Sequence, residues 1–408
     1  MAFVSRSLEP TLRRAVRTFP AVLLTGARQT GKTTLLRERF SSTHRYLSLE
    51  RPDVRARALA DPLGFFEENP PPLILDEIQR APELLHYLKD WIDSDRRPGR
   101  WLLTGSQTLA LMRDVSQTLA GRIAVLTLDP FSVSETLGIG ALDVDECLSR
   151  IFGGKAAPTK VRAGRKALAD WLLRGGFPEI RLHPRADRHL WLSSYVQTYL
   201  ERDVRDLLRV GDLRSFGRFL GLVAARSGTL LNMADLGRDA GVTGPTAKSW
   251  LSVLEASQLV YLLRPHHASF GKRLVKSPKL YLLDTGLVTY LTGIHSAEAA
   301  LQSASAGALV ETAVVAEWVK LFRQNGEQPP LTFWRSSAGD EVDLVIERGG
   351  QLYGLEVKAT STPTPYHANG LSRWLDLAGA SAKGALACNV SRPLALRPQL
   401  RAVPWHPW

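Results

Sequence analysis

The sequence predicts an α/β protein: a parallel-sheet core in the first third of the chain, then a helical region, then a second, smaller α/β unit. Three observations carry that expectation. A nearly continuous apolar run, Ala21-Val22-Leu23-Leu24-Thr25, leads into a glycine-rich loop. A second run, Pro72-Leu73-Ile74-Leu75, ends in two carboxylates. Towards the C-terminus, the stretches 341–346 and 352–358 alternate apolar and charged residues, the period of a strand with two different faces.

The first run reads as a strand buried on both faces, as in a parallel sheet. It is followed by Gly26, Ala27, Arg28, Gln29, Thr30, Gly31, Lys32, Thr33 and Thr34, then by helix-compatible residues 35–39. This is G-x-x-x-x-G-K-T between a strand and a helix, the context a phosphate-binding loop requires. Gly26 and Gly31 let the backbone turn tightly so that N–H groups face phosphate, and the helix N-terminus adds its dipole. Lys32 is expected on the β- and γ-phosphates of ATP and the Thr33 hydroxyl on Mg²⁺.

The second run places Asp76 and Glu77 at the C-terminal end of a strand, where ligands bind in parallel sheets. Asp76 would hold the magnesium through its water shell, and Glu77 would polarise the attacking water. An isolated Asp-Glu pair is ordinarily a solvated turn; the neighbouring loop gives this one a role. A third strand, Trp101-Leu102-Leu103-Thr104, leads to Gly105-Ser106-Gln107, where Ser106 is a candidate sensor of the terminal phosphate. Arg122 precedes a fourth strand over 123–128. It suits an arginine finger lent to a neighbouring molecule's ATP, because a guanidinium stabilises the charge spread in phosphoryl transfer. A plain surface arginine is the alternative.

The order of these motifs resembles the AAA+ superfamily. The matching segments are the P-loop, Leu73-Ile74-Leu75-Asp76-Glu77-Ile78-Gln79, Leu102-Leu103-Thr104-Gly105-Ser106, Leu119-Ala120-Gly121-Arg122-Ile123 and Leu128-Asp129-Pro130-Phe131-Ser132. With Leu173-Arg174-Gly175-Gly176-Phe177-Pro178-Glu179 and Tyr199-Leu200-Glu201-Arg202-Asp203-Val204, the chain resembles the prokaryotic AAA_14 ATPases that carry a C-terminal DUF4143 region. The resemblance implies an AAA+ core with ATPase activity and assembly into a homo-oligomer such as a ring. It does not specify a biological role.

Four regions are expected: an ATPase domain over 1–136, a helical lid or linker over 137–205, a winged-helix-like domain over 206–295, and a nuclease-like domain over 296–408. Within the second, 153–158 reads as an exposed loop and 165–173 as a helix with Leu168, Trp171 and Leu172 on one face. In the third, helical runs over 216–226 and 233–240 precede a short turn, with Thr243 as a candidate N-cap for a helix over 245–256 and a strand over 259–263 following. Such a fold can lay its last helix in a major groove. That helix carries a single basic residue, Lys248, which fits an internal packing role equally well. Arg264, Lys272, Arg273, Lys276 and Lys279 are candidates for an edge that tracks phosphates.

In the last region a helix over 308–323 contains Glu311, and strands follow at 331–335, 341–346 and 352–358. Period two puts Glu356 and Lys358 on one face, and Asp343 joins them if the last two strands pair. Two carboxylates beside an ammonium can bind Mg²⁺ and activate its water. The set Glu311, Asp343, Glu356 and Lys358 resembles the PD-(D/E)xK nuclease superfamily. The alternative is a nuclease-like scaffold or DNA clamp whose polar residues form a salt-bridged strand face.

Composition excludes little but points somewhere. The 408 residues are 44% hydrophobic and 23% charged, and no apolar run approaches the ~18 residues of a membrane span. Cys147 and Cys388 lack metal-ligand spacing and read as buried thiols of a reducing compartment. With no secretory pattern at the N-terminus, the expected location is the cytoplasm. A net charge of +12 favours a polyanionic partner, since cations gain affinity by displacing counterions from phosphate backbones. DNA is therefore the expected partner of an ATP-driven remodelling or translocating protein, branched DNA being one candidate form. The alternatives are a nucleotide-dependent signalling switch and a protein-remodelling ATPase.

Overall fold

The computed structural model describes residues 3–106, 109–153, 164–200, 213–266, 276–397 and 400–406. Gln107, 154–158, 201–204, Lys272 and Arg273 lie outside them.

Five strands build the first sheet: β1 (Ala21–Thr25), β2 (Arg45–Ser48), β3 (Leu73–Asp76), β4 (Trp101–Thr104) and β5 (Ile123–Thr127). All pairs are parallel and the spatial order is β2-β3-β4-β1-β5. Every residue of β1, β3 and β4 is buried, which is why those three announce themselves as apolar runs. Strand β2 lies at the edge with Arg45 exposed and the rest half-buried, so it gives no such run and was not anticipated. The sheet is covered by α1 (Glu9–Thr18), α2 (Lys32–Phe40), α3 (Pro52–Ala60), α4 (Pro62–Glu68), α5 (Leu84–Ser94) and α6 (Leu109–Thr118). This is the P-loop ATPase architecture expected of the first region.

The chain then passes through α7 (Val133–Thr136), α8 (Val144–Gly153), α9 (Arg165–Arg174), α10 (Pro178–Leu182) and α11 (Arg188–Tyr195). Helix α7 is held by a capping box in which Ser132 and Glu135 exchange hydrogen bonds. The winged-helix pattern follows as α12 (Leu213–Ala225), β6 (Thr229–Leu230), α13 (Met233–Ala240), α14 (Gly244–Ala256), β7 (Val260–Pro265) and β8 (Lys279–Leu282). The Thr243 hydroxyl accepts from the Thr246 N–H, the N-cap the sequence suggests.

After α15 (Thr285–Leu291) and α16 (Ala297–Gln302), the long helix α17 (Ala306–Gln324) packs under a mixed sheet. Its strands are β9 (Leu331–Arg335), β10 (Glu341–Arg348), β11 (Gln351–Lys358), β12 (Lys383–Cys388), β13 (Leu394–Arg397) and β14 (Leu400–Pro404), with α18 (Asn369–Ala378) between β11 and β12. Strand β7 pairs in parallel with β9, matching Arg264 to Thr332, so the winged-helix strands and the C-terminal strands form one nine-stranded sheet. One apolar cluster accordingly runs from Val133 through Trp171, Trp250 and Trp318 to Trp405.

Candidate functional site

The loop after β1 has the shape its glycines allow. Gly26 has φ 134°, and a Cβ there would lie 2.2 Å from the Leu128 carbonyl oxygen, so no other residue fits. Gly31, in the left-handed region, is the N-cap of α2. The Lys32 ammonium bends back over the loop and donates to the carbonyls of Gly26 at 3.0 Å and Ala27 at 2.8 Å.

Asp76 is the hub of the neighbouring strand ends. It is 4% exposed and accepts from Thr33 Oγ1 and Thr104 Oγ1, each at 2.6 Å, from Tyr46 OH at 2.8 Å and from Ser48 Oγ at 3.4 Å. Burial, reinforced by the Asp76 hydrogen bond, pushes the Tyr46 phenol up to about 12. Glu77 has a positive φ of 60°. Its N–H donates to Thr104 Oγ1 at 3.1 Å and its carboxylate accepts from the Gln79 amide. Ser106, just beyond β4, is buried with its hydroxyl unpartnered among the described residues. Thr33 and Asp76 thus offer hard oxygens at one point, a donor set that fits a magnesium ion. Tyr46 and Ser48 went unnoticed because they come from the edge strand that carries no apolar run.

Beside the loop lies a cavity of about 310 Å³ whose walls include Phe3, Arg6, Thr30, Glu38, Pro178 and His183. It joins the N-terminal segment, the P-loop and the turn into α10. Gly175 makes that turn with φ 63°, where a Cβ would meet the Asp284 carboxylate at 2.1 Å, and the Gly176 N–H donates to Asp284 at 2.7 Å. The Gly-Gly-Phe-Pro-Glu motif therefore fastens this turn to the N-cap of α15 while Glu179 faces the cavity.

Arg122 lies just before β5, at the end of the sheet away from its own P-loop; its carbonyl accepts from the Ala21 N–H at the start of β1. Its guanidinium makes a two-pronged ion pair with Asp93 of α5, at 2.8 and 2.9 Å.

A set of buried polar contacts, none anticipated, leads from the P-loop into the C-terminal half. Arg6 donates to the Thr30 carbonyl at 2.8 Å, to the Asp129 carbonyl at 2.7 Å and to Glu135 at 2.9 Å. The same stretch is gripped by α17: Glu317 accepts from the Val133 N–H at 2.9 Å, Lys320 donates to the Phe131 carbonyl at 3.0 Å, and Arg323 pairs with Asp129 at 2.7 Å. Burial raises the Glu317 carboxyl above its ordinary range against the pull of Lys320. The Leu-Asp-Pro-Phe-Ser motif is thus a docking strip.

The C-terminal constellation differs from expectation. β10 and β11 do pair, with Leu344 opposite Leu355, and Asp343 accepts from the Val357 N–H at 2.9 Å. Glu311 and Asp343 converge with Glu341, their oxygens within 4.8 Å of one another. Glu356 and Lys358 instead pair with each other. The larger correction concerns Lys279. The ammonium expected on a phosphate-tracking edge is 3% exposed and turned inward among Glu311 at 2.7 Å, Asp343 at 3.3 Å and Glu341. It sits on β8, whose four residues are all buried, so among the described residues the carboxylate trio solvates its charge. Burial alone would lower the Lys279 pKa; the carboxylates, Glu311 foremost, more than offset it and hold it above the ordinary value. Burial, then Asp343, pushes Glu311 up to about 7 and Glu356 up to about 8. The Lys279 ammonium thus stands between Glu311 and Asp343, two of the four residues expected at a second magnesium site, while Glu356, its Oε2 buried and unpartnered among the described residues, pairs with Lys358.

Comparison with known proteins gives matches over most of the chain. Residues 18–137 match an AAA domain, 165–298 a domain of unknown function (DUF8612), and 306–408 a domain of unknown function (DUF4143). Uncharacterized proteins of Mycobacterium tuberculosis and Mycobacterium bovis are each 32% identical over 364 residues, spanning 89% of this chain and 76% of theirs. Among solved structures, the Walker-type ATPase of Pyrococcus abyssi aligns over 71% of this chain and 96% of its own, at 14% identity and a TM-score of 0.46.

Proposed function

This chain belongs to the family of AAA-domain proteins with a C-terminal DUF4143 region, and on that premise we propose that it hydrolyses ATP to remodel or move along DNA. The observation that carries the ATPase reading is the convergence of Thr33 and Thr104 on Asp76 at 2.6 Å each, beside a glycine loop that admits only glycine at position 26. Thr33 and Asp76 would hold Mg²⁺, which neutralises phosphate charge. The loop, Lys32 and the N-terminus of α2 bind the triphosphate; Ser106 reads its terminal group; Glu77 orients the attacking water. Arg122 of a neighbouring copy completes the site in a homo-oligomer. The cavity bounded by Phe3, Pro178 and His183 receives the base.

DNA as partner is supported by the +12 charge and by the winged-helix fold, in which Lys248 and Ser249 of α14 are exposed. The C-terminal sheet then acts as scaffold for the winged helix. The test is ATP turnover with and without duplex, single-stranded and branched DNA across a salt series, since phosphate contacts weaken steeply with salt. Stimulation that fades with salt supports the reading. No DNA binding at low salt removes it and leaves the nucleotide switch, which the buried contacts from Thr30 through Arg6 to α17 favour: nucleotide occupancy can reach the C-terminal half without any DNA.

A further inference from the structure

We propose that Lys279 is the built-in cation of the C-terminal carboxylate cluster, standing where a nuclease-like fold would take a divalent metal, so that the cluster is a joint between the winged-helix strands and the C-terminal sheet. Three carboxylates from two elements, Glu311 on α17 and Glu341 and Asp343 on β10, close around one ammonium. Convergent acids of this kind repel one another unless a cation sits between them, and burial makes that need greater.

Each acid also has a second partner, so the arrangement is complete without an ion. Tyr281 OH donates to Glu311 at 2.5 Å, Arg335 pairs with Glu341 at 3.2 Å, and the Val357 N–H donates to Asp343 at 2.9 Å. A divalent ion entering the trio would sit against both Lys279 and Arg335, and like charges at that separation repel strongly in a buried site.

Nor can the lysine swing away as a gate. Its strand β8 is hydrogen-bonded on both sides, Lys279 lying opposite Leu263 of β7 and Leu230 of β6. The side chain is 4% exposed, with its ammonium 5.6 Å from the centre of the Phe333 ring. Strand pairing fixes the Lys279 backbone, and burial keeps its side chain packed against the acids. The helix that carries Glu311 also carries Lys320 and Arg323, which grip the ATPase core. The lysine joint thus anchors one end of the helix that the docking strip anchors at the other.

The test is Mn²⁺ binding, followed by electron paramagnetic resonance, to the full-length nucleotide-free chain carrying Asp76→Asn to silence the P-loop site. The parent in that background is expected to take up no stoichiometric Mn²⁺. Lys279→Met, which removes the charge from the trio while keeping an unbranched side chain one atom shorter, is expected to gain a single Mn²⁺ with about tenfold or greater tightening. It should also melt earlier than the parent in chelator and regain stability with Mn²⁺. Adding Glu311→Gln should abolish the gain. Stoichiometric Mn²⁺ in the parent that disappears on Asp343→Asn overturns the proposal, as does Lys279→Met that melts like the parent in chelator. Should Lys279→Met not fold in either condition, parent against Asp343→Asn still decides between a resident lysine and a metal.

Discussion

Arg6 and Glu135 lie 129 positions apart in sequence, yet their side chains meet at 2.9 Å with 5% and 1% exposure. The same guanidinium holds the P-loop carbonyl of Thr30. The pair therefore joins the nucleotide loop to the strip on which α17 docks. Removing one partner of a buried pair strands the other charge and costs about 3–5 kcal/mol. Arg6→Ala should lower unfolding stability by about that amount in a urea titration. A loss under ~1 kcal/mol would mean the pair contributes nothing beyond its geometry.

The two ends of the ATP site should separate by kinetics. Lys32→Ala removes the cation that meets the β- and γ-phosphates and should abolish tight ATP binding, read by fluorescent-nucleotide titration. Glu77→Gln leaves the loop, Asp76 and Thr104 in place, so binding persists while turnover falls roughly 10²-fold or more. Glu77→Gln protein that turns over at the parent rate would remove Glu77 from the chemistry.

How much of this was legible in the sequence follows from where each residue's partners lie. The strands β1, β3 and β4 are buried on both faces and declare themselves as apolar runs. The P-loop is local, a fixed spacing in a strand-to-helix turn, and the structure brings Thr33 to Asp76 as that spacing suggests. Arg6 was invisible because its partners are 24, 123 and 129 residues away. Lys279 did leave a signal: a lysine followed by Leu280-Tyr281-Leu282 in a run that the fold buries entirely. A charge inside such a run needs a counter-charge, and the acids that supply it are Glu311 and Asp343, which the sequence reading assigns to a second magnesium site, and Glu341, to which it gives no role. Reading it as one more surface cation missed that requirement.

The C-terminal acids give the fold a pH dependence of definite sign. Glu311, pushed up by burial and Asp343 to about 7, and Glu356, pushed up by the same causes to about 8, both start from 4.5. A carboxyl whose pKa rises on folding binds more protons in the folded chain between the two values, so stability falls as pH climbs through that window and levels off above it. Urea midpoints should decline from about pH 5 to about pH 8. Glu356→Gln, which keeps the neutral form at every pH, should flatten the upper part of the decline. A Glu356→Gln curve parallel to the parent's would show that Glu356 ionises normally.

Arg122 offers the sharpest test of assembly. It stands at the far end of the sheet from its own P-loop, so any catalytic use of it requires a second copy of the chain. Its two-pronged pairing with Asp93 holds it ready or holds it idle, and substitutions distinguish these. As a finger, Arg122→Ala should bind ATP normally and lose roughly 10³-fold in turnover. Asp93→Asn, which releases the guanidinium, should keep turnover at or above the parent rate. As a structural pair alone, both substitutions should lower thermal stability alike and leave turnover per folded molecule unchanged. Mixing closes the argument. Arg122→Ala has an intact P-loop and Lys32→Ala an intact Arg122, each nearly inactive by itself. In a shared oligomer some interfaces join the two intact halves, so turnover should reappear on mixing and grow with the fraction of mixed neighbours. Two inactive proteins that stay inactive together, while co-eluting as one oligomer, would exclude Arg122 from the neighbour's site.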